Sequence, residues 1–337
     1  MDRESSCTYY DYRFVTGETK SEEIMGRFIL KRLGQTLIVL FIVSIFVFLM
    51  VSFLPGDPVY AMLGGEISQE TYDRWFYQLG LDKPLLLRYF DWIAKALVGN
   101  FGISASQHKE VVTILAERVP VTIYLSMISF FISIPLGILL GVLAAINRGK
   151  KIDGILTTFA NVCSCLPQFF LSVLFLYLFS MKLHLLPSFG FTWPWVDLGK
   201  SISQTIMPVL CLSIGGVASI CRQTRSSMLE VISQDYIRTA RSKGLTQAKI
   251  VIVHALKNAL IPVITLMGLR LGGMIGGSMF VESVFNISGM GTLLVSAIRA
   301  QDIPLIQACV LLIAVVACVV NIITDIIYAA VDPRIKV

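Results

Sequence analysis

Six stretches of this chain are long and nearly free of charge, and that dominates what it can fold into. Leu33 to Leu54 is 22 residues without a charge, enough at about 1.5 Å per residue to cross a hydrocarbon core of about 30 Å. Val119–Ile146, Gly154–Met181, Ser201–Cys221 and Ile303–Thr324 also carry no Asp, Glu, Lys or Arg, and Asn258–Val281 carries one, Arg270. A mean hydropathy of +0.75 agrees, with 55% hydrophobic and 15% charged residues. The expected fold class is an all-α polytopic membrane protein with six transmembrane helices.

The connecting segments alternate in charge. Arg27, Lys31 and Arg32 precede the first span, Asn147-Arg148-Gly149-Lys150-Lys151 follows the second, a long basic stretch follows the fourth, and Asp332-Pro333-Arg334-Ile335-Lys336 follows the sixth. The positive-inside rule places these segments, and both termini, on the cytoplasmic side. Pro55–Arg118 and Glu282–Asp302, where acids outnumber bases, and Lys182–Lys200, which holds two lysines and Asp197 with no basic cluster, fall outside. The chain then divides into a disordered cytoplasmic tail (1–24), a first transmembrane helix (25–54), an external helical cap segment (55–118), a transmembrane core (119–331) with a cytoplasmic loop at 222–257, and a cytoplasmic C-terminus (332–337). Within the cap segment, Gln69–Leu79 and Leu85–Leu97 have the periodicity of amphipathic helices. Pro135 and Pro167 lie inside the second and third spans and are expected to kink them.

Signals for chemistry are absent. The seven cysteines are scattered, and Cys163-x-Cys165 is too short for a redox or zinc site, so no disulfide, metal centre or cofactor is expected. Gly199-Lys200-Ser201 lacks the glycine that a phosphate-binding loop needs five positions earlier, where Pro194 stands. No HExxH, GxSxG or paired catalytic carboxylates occur, and a catalytic site is not expected.

The long basic stretch is the most structured of the loops. Ser233 is read as the N-cap of a helix with Asp235 in its first turn, Arg241 and Lys243 in its last, and Gly244 at C′, each placement matching the polar groups or dipole at that end. Thr246 is read as capping a second helix, whose apolar residues recur at helical spacing up to Pro262. Charge alone would fit a solvated loop. Two capped helices suit a surface built for contact.

The run Asp235-Tyr236-Ile237-Arg238-Thr239-Ala240-Arg241-Ser242-Lys243-Gly244-Leu245, then His254-Ala255-Leu256-Lys257-Asn258-Ala259-Leu260-Ile261-Pro262, resembles the signature loop of ABC-importer permeases of the dipeptide/oligopeptide/nickel family. Leu54-Pro55-Gly56-Asp57-Pro58, Leu79-Gly80-Leu81-Asp82-Lys83-Pro84 and Gly99-Asn100-Phe101-Gly102-Ile103-Ser104 are similar to further segments of that family. Departures are Ser288 for a usual proline, Gln301 for a usual arginine, and Arg270 where an uncharged polar residue is usual. The resemblance implies a type I ABC-importer permease (MetI-like) fold in a bacterial or archaeal cytoplasmic membrane. It implies a subunit of an ATP-driven, binding-protein-dependent importer of di- or oligopeptides, with nickel or glutathione-type cargo as the alternative. Implied partners are a second homologous permease subunit, two ATP-binding cassette ATPase subunits that carry out hydrolysis, an extracytoplasmic substrate-binding protein and membrane lipid, with no nucleic acid. It further implies that Ser233, Asp235, Tyr236, Ile237, Arg238, Thr239, Ala240, Arg241, Lys243 and Gly244 couple to the ATPase. Arg238, Arg241 and Lys243 would meet acids there, and Tyr236, Ile237 and Ala240 would supply apolar contact.

Three other features bear on function. Gly268, Gly272 and Gly276 are four apart, as are Gly273 and Gly277, a spacing that clears a helix face for close packing within the chain or against a second subunit. Arg270 within a span marks a pathway, and Glu282 and Asp302 are expected to line its outer vestibule. An ion-coupled secondary transporter is the competing class, but no Asp or Glu lies deep in a span to bind a coupling ion.

Overall fold

A computed structural model describes residues 8–331 apart from 54, 55 and 66, with backbone alone at 8–29, 269, 271, 272, 274, 275 and 327–331. The expected C-terminus at 332–337 and the first seven residues of the expected tail lie outside the described residues. The first helix, α1 (Thr8–Ser52), begins at Thr8, so residues 8–24, read from the sequence as disordered, continue the first span as helix. No proline interrupts 8–52, and extending a nucleated helix costs little.

The helices long and apolar enough to cross a membrane are the Leu30–Ser52 part of α1, α5 (Val111–Ile146), α8 (Leu198–Ile232), the stretch from Gln247 to Gly268, and α13 (Ile303–Val331). A bent pair of helices is the candidate for a sixth span. It consists of α6 (Lys151–Cys165) and α7 (Gln168–Phe175), the latter continuing as a π-helical turn to Lys182, with 102° between the two halves. The expected kink at Pro167 is therefore a break. Leu166 is extended, with ψ at 125°, because the proline ring crowds the residue before it out of the helical region. Pro135 stays inside α5, where Ser133 and Gly137 on either side of it are held against α8.

Three short helices, α2 (Pro58–Leu63), α3 (Gln69–Gln78) and α4 (Leu85–Leu97), form where turn chemistry and amphipathic spacing put them. Asp57 caps α2 by accepting from the Val59 and Tyr60 amides and from the Tyr72 hydroxyl. Desolvation opposes its ionisation, yet these bonds hold its carboxyl below the usual carboxylate range. α4 lies along α1: the Tyr89 hydroxyl is 2.8 Å from Ser44 Oγ, and the Arg88 guanidinium sits 5.1 Å from the centre of the Phe48 ring. On its exposed faces α1 presents Leu37, Ile38, Phe41 and Phe46, as a helix dissolved in lipid does.

The remaining elements are α9 (Asp235–Ser242), α10 (Gln247–Lys249), α11 (Lys257–Val284) and α12 (Met290–Arg299). α10 joins α11 through a π-helical stretch, Ile250–Leu256. The second helix of the basic loop thus does not stop at Pro262; it is the first part of the fifth span. In a packed membrane bundle a proline removes one backbone bond without ending the helix.

The centre is the crossing of α5 and α8. Ser129, Ser133, Gly137 and Gly141, each four apart, bring the backbones together. A Cβ on Gly141 would lie 2.6 Å from Thr224 Cβ and 2.7 Å from the Cys221 carbonyl, and one on Gly137 2.6 Å from Ile220 Cβ. Ser129, Ser133 and Ser213 each donate to the carbonyl one turn back on their own helix, and their hydroxyls lie 3.1–3.3 Å from carbonyls of the facing helix. This stripe was readable in the sequence; its partner was not.

Replacing Gly141 by valine is expected to destabilise the solubilised protein by about 1–3 kcal/mol, the usual range for overpacking. Alanine at Gly154, where an added Cβ meets nothing within 4 Å, should leave the thermal unfolding midpoint unchanged.

Candidate functional site

The basic segment after α8 folds into a compact lever. α8 runs on to Ile232, so Ser233 is its C-cap, donating to the Glu230 carbonyl at 2.6 Å. The expected N-cap role of Ser233 is thereby corrected: Gln234 precedes α9 in an extended conformation, with no side-chain cap. Asp235 does stand in the first turn of α9 and Arg241 in its last. Gly244 adopts φ +77°. Its amide reaches the Arg241 carbonyl, and the Leu245 amide reaches Ala240. This is the Schellman closure that a glycine at C′ permits.

The two faces of α9 point opposite ways. Ile237 and Ala240 are buried in a cluster with Ala145 at the end of α5, Met228 near the end of α8, and Ile250, Val251, Ala255 and Ala259. Both were expected to offer apolar contact outward; instead they fasten α9 to its own bundle. Exposed on the other face are Asp235, Tyr236, Arg238, Thr239, Arg241 and Lys243. Arg238 pairs with Asp235 at 3.6 Å along the helix, and Thr239 donates to the Asp235 carbonyl. The Tyr236 hydroxyl accepts from Asn258, tying α9 to α11.

A second fastener escaped sequence reading. Asp153, buried in the first turn of α6, accepts from Arg225 of α8 through both oxygens, at 2.6 and 2.8 Å. The Gly149 amide at 3.1 Å and the Thr157 hydroxyl at 3.2 Å complete its shell. The partners are 72 residues apart, and no local pattern links them. Asp153→Asn should lower the thermal midpoint because it leaves the Arg225 charge unpaired. The exchange Asp153→Arg with Arg225→Asp should recover part of the loss, a coupling that a double-mutant cycle measures.

Glu282 and Asp302 do not line an open vestibule. Both are fully buried. Glu282 accepts from Thr122 Oγ1 at 2.7 Å, the Gly291 amide at 2.7 Å and the Thr292 amide at 3.3 Å, placing its charge at the positive end of α12. Any Cβ at Gly289 or Gly291 would collide with this carboxylate, which accounts for the glycines in that turn. Asp302 accepts from Ser104 Oγ at 2.6 Å, Ser106 Oγ at 2.7 Å and the Ser106 amide at 2.9 Å, and its other oxygen caps α13 through the Leu305 amide. The two acids read as pathway residues are buried anchors, because each sits where helix amides and hydroxyls converge.

Arg270 lies midway along α11, half buried, donating to Ser219 of α8. The glycines around it divide. A Cβ on Gly268 would strike Thr324 of α13 at 1.6 Å, and one on Gly277 would come 3.0 Å from Gln168, so these two serve packing within the chain. Gly273 and Gly276 are exposed, with nothing within 4 Å. Gly272 falls between the two groups in sequence. Among the described residues no group of three or more His, Cys, Asp or Glu could hold a metal.

Residues 137–337 match the family described as binding-protein-dependent transport system inner membrane component, and residues 25–126 match the N-terminal region of such membrane components. A putative peptide permease of Brucella suis is 39% identical over 318 residues, 93% of this chain and all of that protein. A glutathione transport system permease of Escherichia coli is 38% identical over 312 residues, 93% of this chain and 99% of that protein. Among solved structures, a chain of the MetNI methionine ABC transporter in inward-facing form superposes with a TM-score of 0.55 at 20% identity, covering 65% of this chain and 96% of that one, a likeness of fold. The five apolar spans with the bent helix pair, the type I importer architecture and these matches over both parts of the chain make it a member of the binding-protein-dependent transport system inner membrane components, the permease subunits of ABC importers.

Proposed function

We propose that this permease subunit carries peptides inward and is driven by ATPases bound at α9. The observation that carries the coupling is the division of that helix: Ile237 and Ala240 root it in the ends of α5, α8 and α11, while Arg238, Arg241 and Lys243 are exposed on its outer face. A displacement of α9 is then passed to three spans through packed side chains. The exposed cations suit an acidic cleft on an ATP-binding cassette subunit, with Ser233 and Gly244 bounding the lever. In this reading the end of the bundle that holds α9, the 147–151 turn and both termini faces the cytoplasm. The 56–118 segment and the 183–197 loop face the external binding protein. The open stretch of α11 at Gly273 and Gly276 meets a second permease subunit. Hydrolysis belongs to the partners.

Peptide cargo rests on the names of the Brucella relatives, and the Escherichia coli relative makes a glutathione-type cargo the second reading. An ion-coupled mechanism is disfavoured by the acids themselves. The described acids buried at the spans, Asp153, Glu282 and Asp302, are each engaged by protein donors, and none of these is left to carry a coupling ion.

The test is assembly and transport. Gly244→Pro, or Arg238→Glu combined with Arg241→Glu, should abolish ATPase copurification and tripeptide uptake in vesicles while membrane insertion stays at the wild-type level. Normal copurification and uptake in both variants would remove α9 from the coupling path.

A further inference from the structure

Two cations at the seam of α8 and α11, the half-buried Arg270 and the exposed Arg222, have no acid beside them among the described residues. Arg270 of α11 spends one of its five donors on Ser219. The Ser219 hydroxyl is itself committed to the Gly215 carbonyl at 2.9 Å, so it faces Arg270 with a lone pair. Arg222 stands one turn beyond Ser219 on α8, on the same side of that helix as the serine that holds Arg270. Neither forms an ion pair among the described residues, whereas the neighbouring Arg225 is claimed by Asp153. Below them Ile220, Val263 and Met267 seal α8 against α11. Further along α11, Gly273 and Gly276 are exposed, with open space where a side chain would stand.

A half-buried guanidinium in a span, with no acid to pair it and a second cation on the facing helix, favours an anion at its free donors. We infer that Arg222 and Arg270, oriented by Ser219, form a subsite for a carboxylate of the passing cargo. Guanidinium is suited to this because its planar fork matches a carboxylate through two parallel bonds. Ser219 takes up one donor and leaves the other four for a ligand. The inference rests on the peptide-import reading and names the group on the peptide that the pathway recognises.

The test uses the assembled transporter, with its ATPases and binding protein, in phosphatidylcholine vesicles. Uptake of trialanine is compared with uptake of its C-terminal amide. Preference arising in the external receptor is common to wild type and variant and cancels in the comparison. In Arg270→Gln the acid-to-amide ratio of kcat/KM should fall roughly tenfold, the loss expected for one hydrogen bond to a charged group. Arg270→Lys, which keeps the charge but not the planar fork, should give a ratio between those of wild type and Arg270→Gln. Arg222→Gln, at an exposed position, should shift the ratio in the same direction and serves if the Arg270 variants do not assemble. An unchanged ratio in the glutamine variants overturns the subsite and leaves the importer reading intact. Wild-type uptake of neither compound overturns the peptide reading and the subsite with it. A variant effect equal for acid and amide, seen only when phosphatidylglycerol is added, assigns the anion to a lipid headgroup and also overturns the proposal.

Discussion

The close approach of α5 and α8 is the contact on which the rest hangs. Between helices in lipid there is little hydrophobic drive, so association depends on van der Waals packing and on polar groups that find partners across the seam. Gly137, Gly141 and Gly216 leave no room for a side chain at the crossing, and Ser129, Ser133 and Ser213 fill the remaining space with hydroxyls satisfied by carbonyls. One rigid pair results, and both ends of it are put to use. Ala145 and Met228 at one end receive α9. Thr122 near the other end holds Glu282 and the first amide of α12.

Buried carboxylates do the fastening elsewhere. Glu282 closes the turn between α11 and α12, Asp302 binds the 99–110 loop to the start of α13, and Asp153 locks α6 to α8 through Arg225. In each case several donors converge on one acid, which offsets the cost of desolvating the charge. Several cations are placed differently. Arg241 and Lys243 are exposed on α9, and Arg222 and Arg270 have no acid beside them among the described residues. Anionic partners or cargo could engage these four without breaking the contacts that hold the bundle.

Legibility followed the range of the interactions. The crossings of α1, α5, α8 and α13 could be read because hydrocarbon thickness sets a length that any apolar run must meet. α3 and α4 could be read because amphipathic spacing is local, and the close of α9 could be read because glycine admits the positive φ that ends it. Ser233 was misread because a serine before an acid suits the start of one helix as well as the end of another. Only the continuation of α8 to Ile232 decides which. The bend at Pro167, against the straight passage at Pro135, depended on whether a neighbouring helix gripped the turn.

Sequence by itself determined that this chain spans a membrane as helices, with a structured basic loop on one side, because run length, charge and turn sterics act within a few residues. Tertiary structure decided which way Ile237 and Ala240 face, that Glu282 and Asp302 are anchors, that Asp153 finds Arg225, and that Arg222 and Arg270 find no acid. An amphipathic face or a charge carries no record of its partner, since partners lie tens of residues away and are selected only when the helices pack.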